Sequence, residues 1–131
     1  MSSVEFFAGQ PTNLTKAFMN FFDNDATPWT ELGDGIRRKI VGHTPQLMSV
    51  FMQFDKGAIG TPHAHDVHDQ IGFVISGSFE AVINGERRVL KAGDAFIAPN
   101  HHTHGVVALE HHSLLLDQFS PRRDDYLSSG S

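Results

Sequence analysis

The stretch Gly57-Ala58-Ile59-Gly60-Thr61-Pro62-His63-Ala64-His65-Asp66-Val67-His68-Asp69-Gln70-Ile71-Gly72-Phe73-Val74-Ile75-Ser76-Gly77 decides the fold. Its spacing runs Gly57, five residues, His63, one residue, His65, four residues, Gln70, six residues, Gly77. On an extended backbone residues two apart point to the same face, so His63 and His65 can reach one ion. Gln70 opens the next apolar run and offers an amide oxygen.

A second stretch runs Gly93, five residues, Pro99, one residue, His101, two residues, His104. It delivers another imidazole. The chain has nine histidines, with three between His63 and His68 and three between His101 and His104, which suggests a site rather than a solvated surface. Three imidazoles and an oxygen, with room for solvent, are the donor pattern of a reactive metal site rather than a closed structural one. His68, His101 and His102 read as loop residues beside that site. His111 and His112 read as a turn, and His43 as a loop residue.

Outward from these stretches the chain reads as short strands: 36–41, 47–54, 70–75, 79–83, 87–90, 95–98, 105–109 and 113–119. Gly, Pro, Asn and Asp separate them. Asn84-Gly85, between two alternating runs, predicts a type I′ hairpin. Many short strands with regular turns mean an all-β sandwich or barrel. Three segments are expected. Residues 1–35 are irregular or partly helical and pack aromatics on the barrel, residues 36–127 form the barrel, and residues 128–131 are a frayed tail. Leu14, Phe18, Phe21 and Phe22 recur at near-helical spacing until Asp23-Asn24-Asp25 and Pro28 stop it, and Trp29 is expected to pack there too.

Bulk properties agree with that reading. A length of 131 residues fits one domain, and 40% hydrophobic residues can bury a core. With no cysteine, neither a disulfide scaffold nor a thiolate metal site can form. A net charge of −5 argues against general nucleic-acid binding, so an anionic ligand would need local arginines or a metal. The first residues lack a basic segment followed by an apolar run, and no apolar run is long enough to span a bilayer. A cytoplasmic protein with no membrane partner is expected.

The two histidine stretches resemble the paired motifs of the cupin superfamily. The first is commonly Gly-(five)-His-x-His-(three or four)-Glu-(six)-Gly, matched here with Gln70 in place of the Glu. The second is Gly-(five)-Pro-x-Gly-(two)-His-(three)-Asn, with His101 replacing the second Gly and Ala108 the Asn. The resemblance implies a single-domain cupin, a double-stranded β-helix or jelly-roll barrel. It would hold one divalent metal on His63, His65, Gln70 and His104. A neutral amide leaves the ion its full charge, which favours Lewis-acid over redox chemistry. Zinc or nickel is favoured, and manganese and iron also accept imidazole and oxygen.

The C-terminal run Leu114-Leu115-Leu116-Asp117-Gln118-Phe119-Ser120-Pro121-Arg122-Arg123 carries a second constellation. Alternation puts Leu115, Asp117 and Phe119 on one face. An inward acid is costly unless it is paired, solvated in a cavity or catalytic. The plainer alternative is a strand end with a structural Asp–Arg pair. Phe119 can line a cavity against an apolar sugar face. Arg122 and Arg123 follow a turn and can fold over the mouth.

With the Gln-bearing motif, this tail and residues 29–40 and 105–110 resemble the KdgF-type cupins of pectin and alginate catabolism. The resemblance runs from about Trp29 to Leu127. It implies metal-dependent conversion of 4,5-unsaturated monouronates to linear ketouronates, with Asp117, Phe119 and Arg123 as acting residues. In that reading Asp117 moves the proton, Arg123 pairs with the carboxylate and Phe119 positions the ring. Arg38, sharing a strand face with Ile36 and Ile40, is a further substrate-binding candidate. Which of Arg122 and Arg123 contacts substrate stays open. Alternatives are another metal cupin enzyme, a dioxygenase or sugar isomerase, and a non-catalytic cupin that binds a sugar acid. The partner expected is a small-molecule sugar acid. Cupins often dimerise, and the aromatic N-terminal segment is a candidate contact for a homodimer.

Overall fold

Apolar and polar residues alternate along most of the chain, and the alternating stretches become strands. The computed structural model describes residues 20–128. Its elements are β1 (Thr30–Gly33), β2 (Ile36–Thr44), β3 (Leu47–Phe54), β4 (Ile59–His63), β5 (Asp69–Ser76), β6 (Ser78–Ile83), β7 (Glu86–Lys91), β8 (Ala95–Ala98), β9 (His104–Ala108), β10 (Ser113–Ser120) and the short helix α1 (Asp124–Ser128). They build a six-stranded sheet in the order β1-β2-β3-β10-β5-β8 and a four-stranded sheet in the order β4-β9-β6-β7. This is the all-β, two-sheet jelly-roll architecture expected.

The two sheets close on a shared core. Phe54, Val74 and Leu115 come from the larger sheet, and Phe79, Leu90 and Val106 from the smaller. Phe54 and Phe79 meet edge to face at 5.2 Å, so an aromatic contact ties sheet to sheet. β10 pairs with β3 on one side and β5 on the other. Its inward residues, Ser113, Leu115, Asp117 and Phe119, are all buried, as the alternation requires.

The eight strands read from the sequence are present, and two more join them. β4 contains Gly60 and Pro62 and has no apolar alternation. It lies at the edge of its sheet with a register shift between Gly60 and His63, where a missing N–H is tolerated. β1, inside the stretch expected to be irregular, is a four-residue edge strand turned onto β2 by Asp34 and Gly35, both at positive φ. Asn84 and Gly85 both have positive φ, as a type I′ turn requires.

Phe22 packs edge-on against Phe51, and Trp29 lies under the Lys39 ammonium at 4.6 Å. Phe21 is 75% exposed. Leu14, Phe18 and residues 129–131 lie outside the described residues. Among the described residues no helix is long and apolar enough to cross a membrane.

The turn from β5 into β6 shows how closely the sheets approach. Ser113 is fully buried; its hydroxyl lies 2.9 Å from the Glu110 carbonyl and 3.3 Å from that of Ser78, and it accepts the Ser78 N–H at 3.2 Å. Gly77, with φ +74°, passes so near that a Cβ there would stand 2.2 Å from the Ser113 hydroxyl and 2.7 Å from its Cα. Gly77→Ala should therefore destabilise by more than the roughly 1–3 kcal/mol of left-handed strain alone. Gly85→Ala, with φ +89° and open space around the missing Cβ, should lose only that strain. Denaturant unfolding of the two variants checks this: equal losses would mean that the Ser113 contact is not what demands a glycine.

Candidate metal centre and catalytic cavity

His63 ends β4 and His104 opens β9, and the two are cross-strand partners. That pairing brings their rings to 4.5 Å. His65, two residues on, adds a third ring, 4.8 Å from His63 and 5.1 Å from His104. The three offer ligand nitrogens within 4.8 Å of one another. Gln70 enters from β5 of the other sheet, its Oε1 3.1 Å from His65 Nε2. The two motif loops are stitched together as well. The His101 N–H donates to the His65 carbonyl at 2.6 Å, and the Asn100 N–H to Asp69 Oδ1 at 2.9 Å. His101 stands in the left-handed region, φ 69°, which explains why the motif usually has glycine there.

Hydrogen bonds set which imidazole nitrogen is available. His63 Nδ1 donates to the Thr61 carbonyl at 2.8 Å, and His104 Nδ1 to that of His102 at 3.1 Å. Each ring thus keeps its Nε2 lone pair for another partner. The His104 Nε2 is buried and meets no hydrogen-bond donor among the described residues. Burial, with Arg123 adding to it, lowers His65 to a pKa of about 4, and burial also lowers His104, so both rings stay neutral. Imidazoles of which two keep an Nε2 lone pair, beside a third ring and an amide oxygen, suit a divalent cation. A second group, Asp55, His111 and His112, also brings donor atoms within 4.8 Å. There Asp55 already binds Arg37 at 3.1 Å, and a cation would face that guanidinium.

The acid arrives from β10. Asp117 faces Gly72 of β5 and Val50 of β3, deep between the sheets. Burial pushes its carboxyl up to about pKa 7, while the nearby Gln70 amide and the Arg123 charge pull the other way. Its Oδ1 has no hydrogen-bond partner among the described residues. Gln70 therefore stands between both groups, with its oxygen at His65 and its amide influence felt at Asp117. Arg123 donates Nε and Nη2 to Asp125 at 2.9 and 2.7 Å. Its guanidinium lies 5.1 Å from the Phe119 ring centre and 4.3 Å from that of Tyr126. One edge of the fork is taken by Asp125, and the guanidinium also lines the cavity. A cavity of about 90 Å³ is lined by His63, Gln70, His104, Asp117, Phe119 and Arg123, among others.

Seven of the residues singled out from the sequence therefore converge on one place. Arg38 does not join them at the cavity wall. It is buried, but its guanidinium stacks on the Tyr126 ring at 4.3 Å, and Tyr126 is what reaches the cavity. Arg122 turns away, donating to Asp124 at 2.7 Å and lying 3.5 Å from His43, so of the two arginines Arg123 is the one at the cavity. Sequence reading missed Tyr126 and Phe96. Tyr126 was hidden in a short charged tail, and Phe96 looked like any inward strand residue.

Comparisons with known proteins bear on this arrangement. Residues 50–116 match the family described as the cupin domain. The chain is 59% identical over 107 residues to the pectin degradation protein KdgF of Dickeya dadantii (strain 3937), covering 82% of this chain and 97% of that one. It is similar to the solved structure of KdgF from Halomonas sp., at 57% identity and TM-score 0.80, covering 81% of this chain and 96% of that one. It is also similar to an RmlC-like cupin from Shewanella frigidimarina NCIMB 400, at 40% identity and TM-score 0.77, covering 81% and 94%.

Asp117 makes a stability prediction with a definite sign. In the folded chain it keeps its proton to about pH 7, whereas an unfolded aspartate ionises near 3.8. Between those values the folded state holds the extra proton, so its stability falls as pH rises from about 4 to about 7. Chelator-treated Asp117→Asn should thus melt well above wild type at about pH 8 and close to it at about pH 4. A melting difference that does not grow with pH would contradict the burial assigned to this carboxyl.

Proposed function

The chain belongs to the cupin family and, within it, to the KdgF group, and we propose that it converts 4,5-unsaturated monouronates from pectin or alginate breakdown to linear ketouronates. The observation that carries this is Asp117: a buried carboxyl that holds its proton near neutrality, on one cavity wall with the histidine cluster and Arg123. The 59% identity to a pectin degradation protein supports the substrate class.

The substrate is a cyclic enol ether carrying a carboxylate on C5. Its ring opens when C4 gains a proton, the bond between C1 and the ring oxygen breaks, and the anomeric hydroxyl gives up its proton. The product carries an aldehyde at C1 and a ketone at C5, and no co-reactant is consumed. Asp117, protonated, delivers the C4 proton as general acid, and its carboxylate can take up the one released. Arg123 pairs its guanidinium with the substrate carboxylate, oriented by Asp125 on one edge. Phe119 bounds the ring. The cavity holds little more than an ion and a few waters, so the sugar ring would lie at the mouth beside Arg123 and Tyr126, reacting end inward. Held by His63, His65, Gln70 and His104, one divalent ion, with zinc or nickel favoured, would supply Lewis acidity and fix substrate oxygens.

Loss of the C4–C5 double-bond absorbance measures this reaction. The wild-type protein should exceed the spontaneous rate, and Asp117→Ala and His104→Ala should each fall by about 100-fold or more, toward that rate. Wild-type rates in both variants would refute the assignment. Oxygen consumption during turnover would point to a dioxygenase instead, and tight binding without turnover to a sugar-acid-binding cupin.

We also infer a homodimer through the outer face of the six-stranded sheet. Phe51, Leu116, Phe73 and Ala95 form one cross-strand row there, flanked by Ile71 and Ile97. Ile71, Phe73, Ile75 and Ile97 are all exposed, and a contiguous apolar face is what a partner surface requires. Phe73→Glu should halve the mass seen by light scattering, and a wild-type monomer would end this reading.

A further inference from the structure

Gly72 sits mid-strand on β5, opposite Phe96 of β8 on one side and Asp117 of β10 on the other. Its backbone does not require a glycine, since its φ lies outside the positive region. Space does. A Cβ at this position would stand 2.1 Å from Cε2 of Phe96 and 2.3 Å from its Cζ. The absent methyl is the volume that the phenyl ring occupies, so the ring lies down across the strand instead of standing up from it.

That posture takes the ring to a metal ligand. Phe96 is 6% exposed, and its plane lies 29° from that of the His104 imidazole, with centroids 6.1 Å apart. Besides its contacts with the His63 and His65 rings, His104 is held by the bond from Nδ1 to the His102 carbonyl. That bond holds an edge of the imidazole and the phenyl ring a face. Together they hold in place a ring that lines the cavity and whose buried Nε2 has no hydrogen-bond partner among the described residues.

Resting on the metal reading above, we propose that Phe96, seated in the notch left by Gly72, is a positioning residue that fixes the orientation of His104 as a ligand. Phe96 also belongs to the hydrophobic core, so loss of stability alone does not separate this role from plain packing. The coordination sphere does. A core residue that merely fills volume leaves ligand geometry unchanged when another apolar side chain of similar size replaces it.

Co²⁺ is the probe, because its visible absorption reports ligand geometry independently of turnover. The full-length chain is stripped with chelator and titrated with Co²⁺, as wild type, Gly72→Ala, Phe96→Leu and the double variant. Phe96→Leu keeps apolar bulk without the ring and is expected to fold, so it carries the test even if Gly72→Ala does not. Phe96→Leu and Gly72→Ala should each weaken Co²⁺ binding by about 10- to 100-fold and shift the absorption bands. In the double variant the losses should not add, because a leucine at 96 no longer contests the methyl at 72. Wild-type affinity and wild-type bands in Phe96→Leu, with wild type binding Co²⁺ normally, would overturn the positioning role and leave the metal reading standing. A wild-type chain that takes up neither Co²⁺ nor Zn²⁺ would remove the metal reading, and this role with it.

Discussion

The register of β10 is the constraint on which the rest depends. This strand is hydrogen-bonded on both sides, to β3 and to β5, so its pairing is fixed twice. Its inward set joins the two parts of the molecule. Leu115 belongs to the sheet-to-sheet core, Phe119 to a second apolar cluster under α1, and Asp117 lies between them. A slip of one residue would turn Leu114, Leu116 and Gln118 inward and expose the acid. The packing that stabilises the barrel is therefore the same packing that buries Asp117, and the two cannot be adjusted separately.

That burial has a cost which the barrel sustains. Asp117 Oδ1 and His104 Nε2 are both buried and both without a hydrogen-bond partner among the described residues. Each such atom costs on the order of 1–3 kcal/mol when it is left unsatisfied. A fold selected for stability alone would fill these places with apolar side chains. Keeping them together, within one cavity and beside an oriented guanidinium, is what a site for chemistry looks like. The apolar contacts around them, Phe54 on Phe79 and Leu115 between the sheets, offset the loss.

Strand alternation made much of this legible before any coordinates. Periodicity of two located eight strands and put Asp117 and Phe119 on one inward face, and the spacing of His63, His65 and His104 marked a cluster. Pattern alone could not supply what depends on sheet edges and on space. β4 escaped because Gly60 and Pro62 erase alternation, which an edge strand can tolerate. Arg38 was rightly inward, yet a ring from α1 stands between it and the cavity. Arg122 and Arg123 are adjacent in sequence, and only the position of their acidic partners and of Tyr126 tells them apart. Gly72 looked like a gap in an apolar strand until the ring that fills it was in view.

Gln70 unites the two halves of the site. A side-chain amide has an accepting end and a donating end, and here the oxygen faces His65 while the donating end favours the charged form of Asp117. A glutamate could present its oxygens to the histidine side but has no donor for the aspartate. It would also set a second carboxylate against one whose ionisation is already disfavoured by burial. Like charges in so small a space push one pKa further up or drive the groups apart. In the proposed chemistry that would weaken the acid's ability to give up its proton. The amide keeps the carboxyl near neutrality, where a proton can be both given and recovered. The glutamine that departs from the general motif is thus tied to an aspartate 47 positions away, through a contact that exists only because β5 and β10 are neighbours.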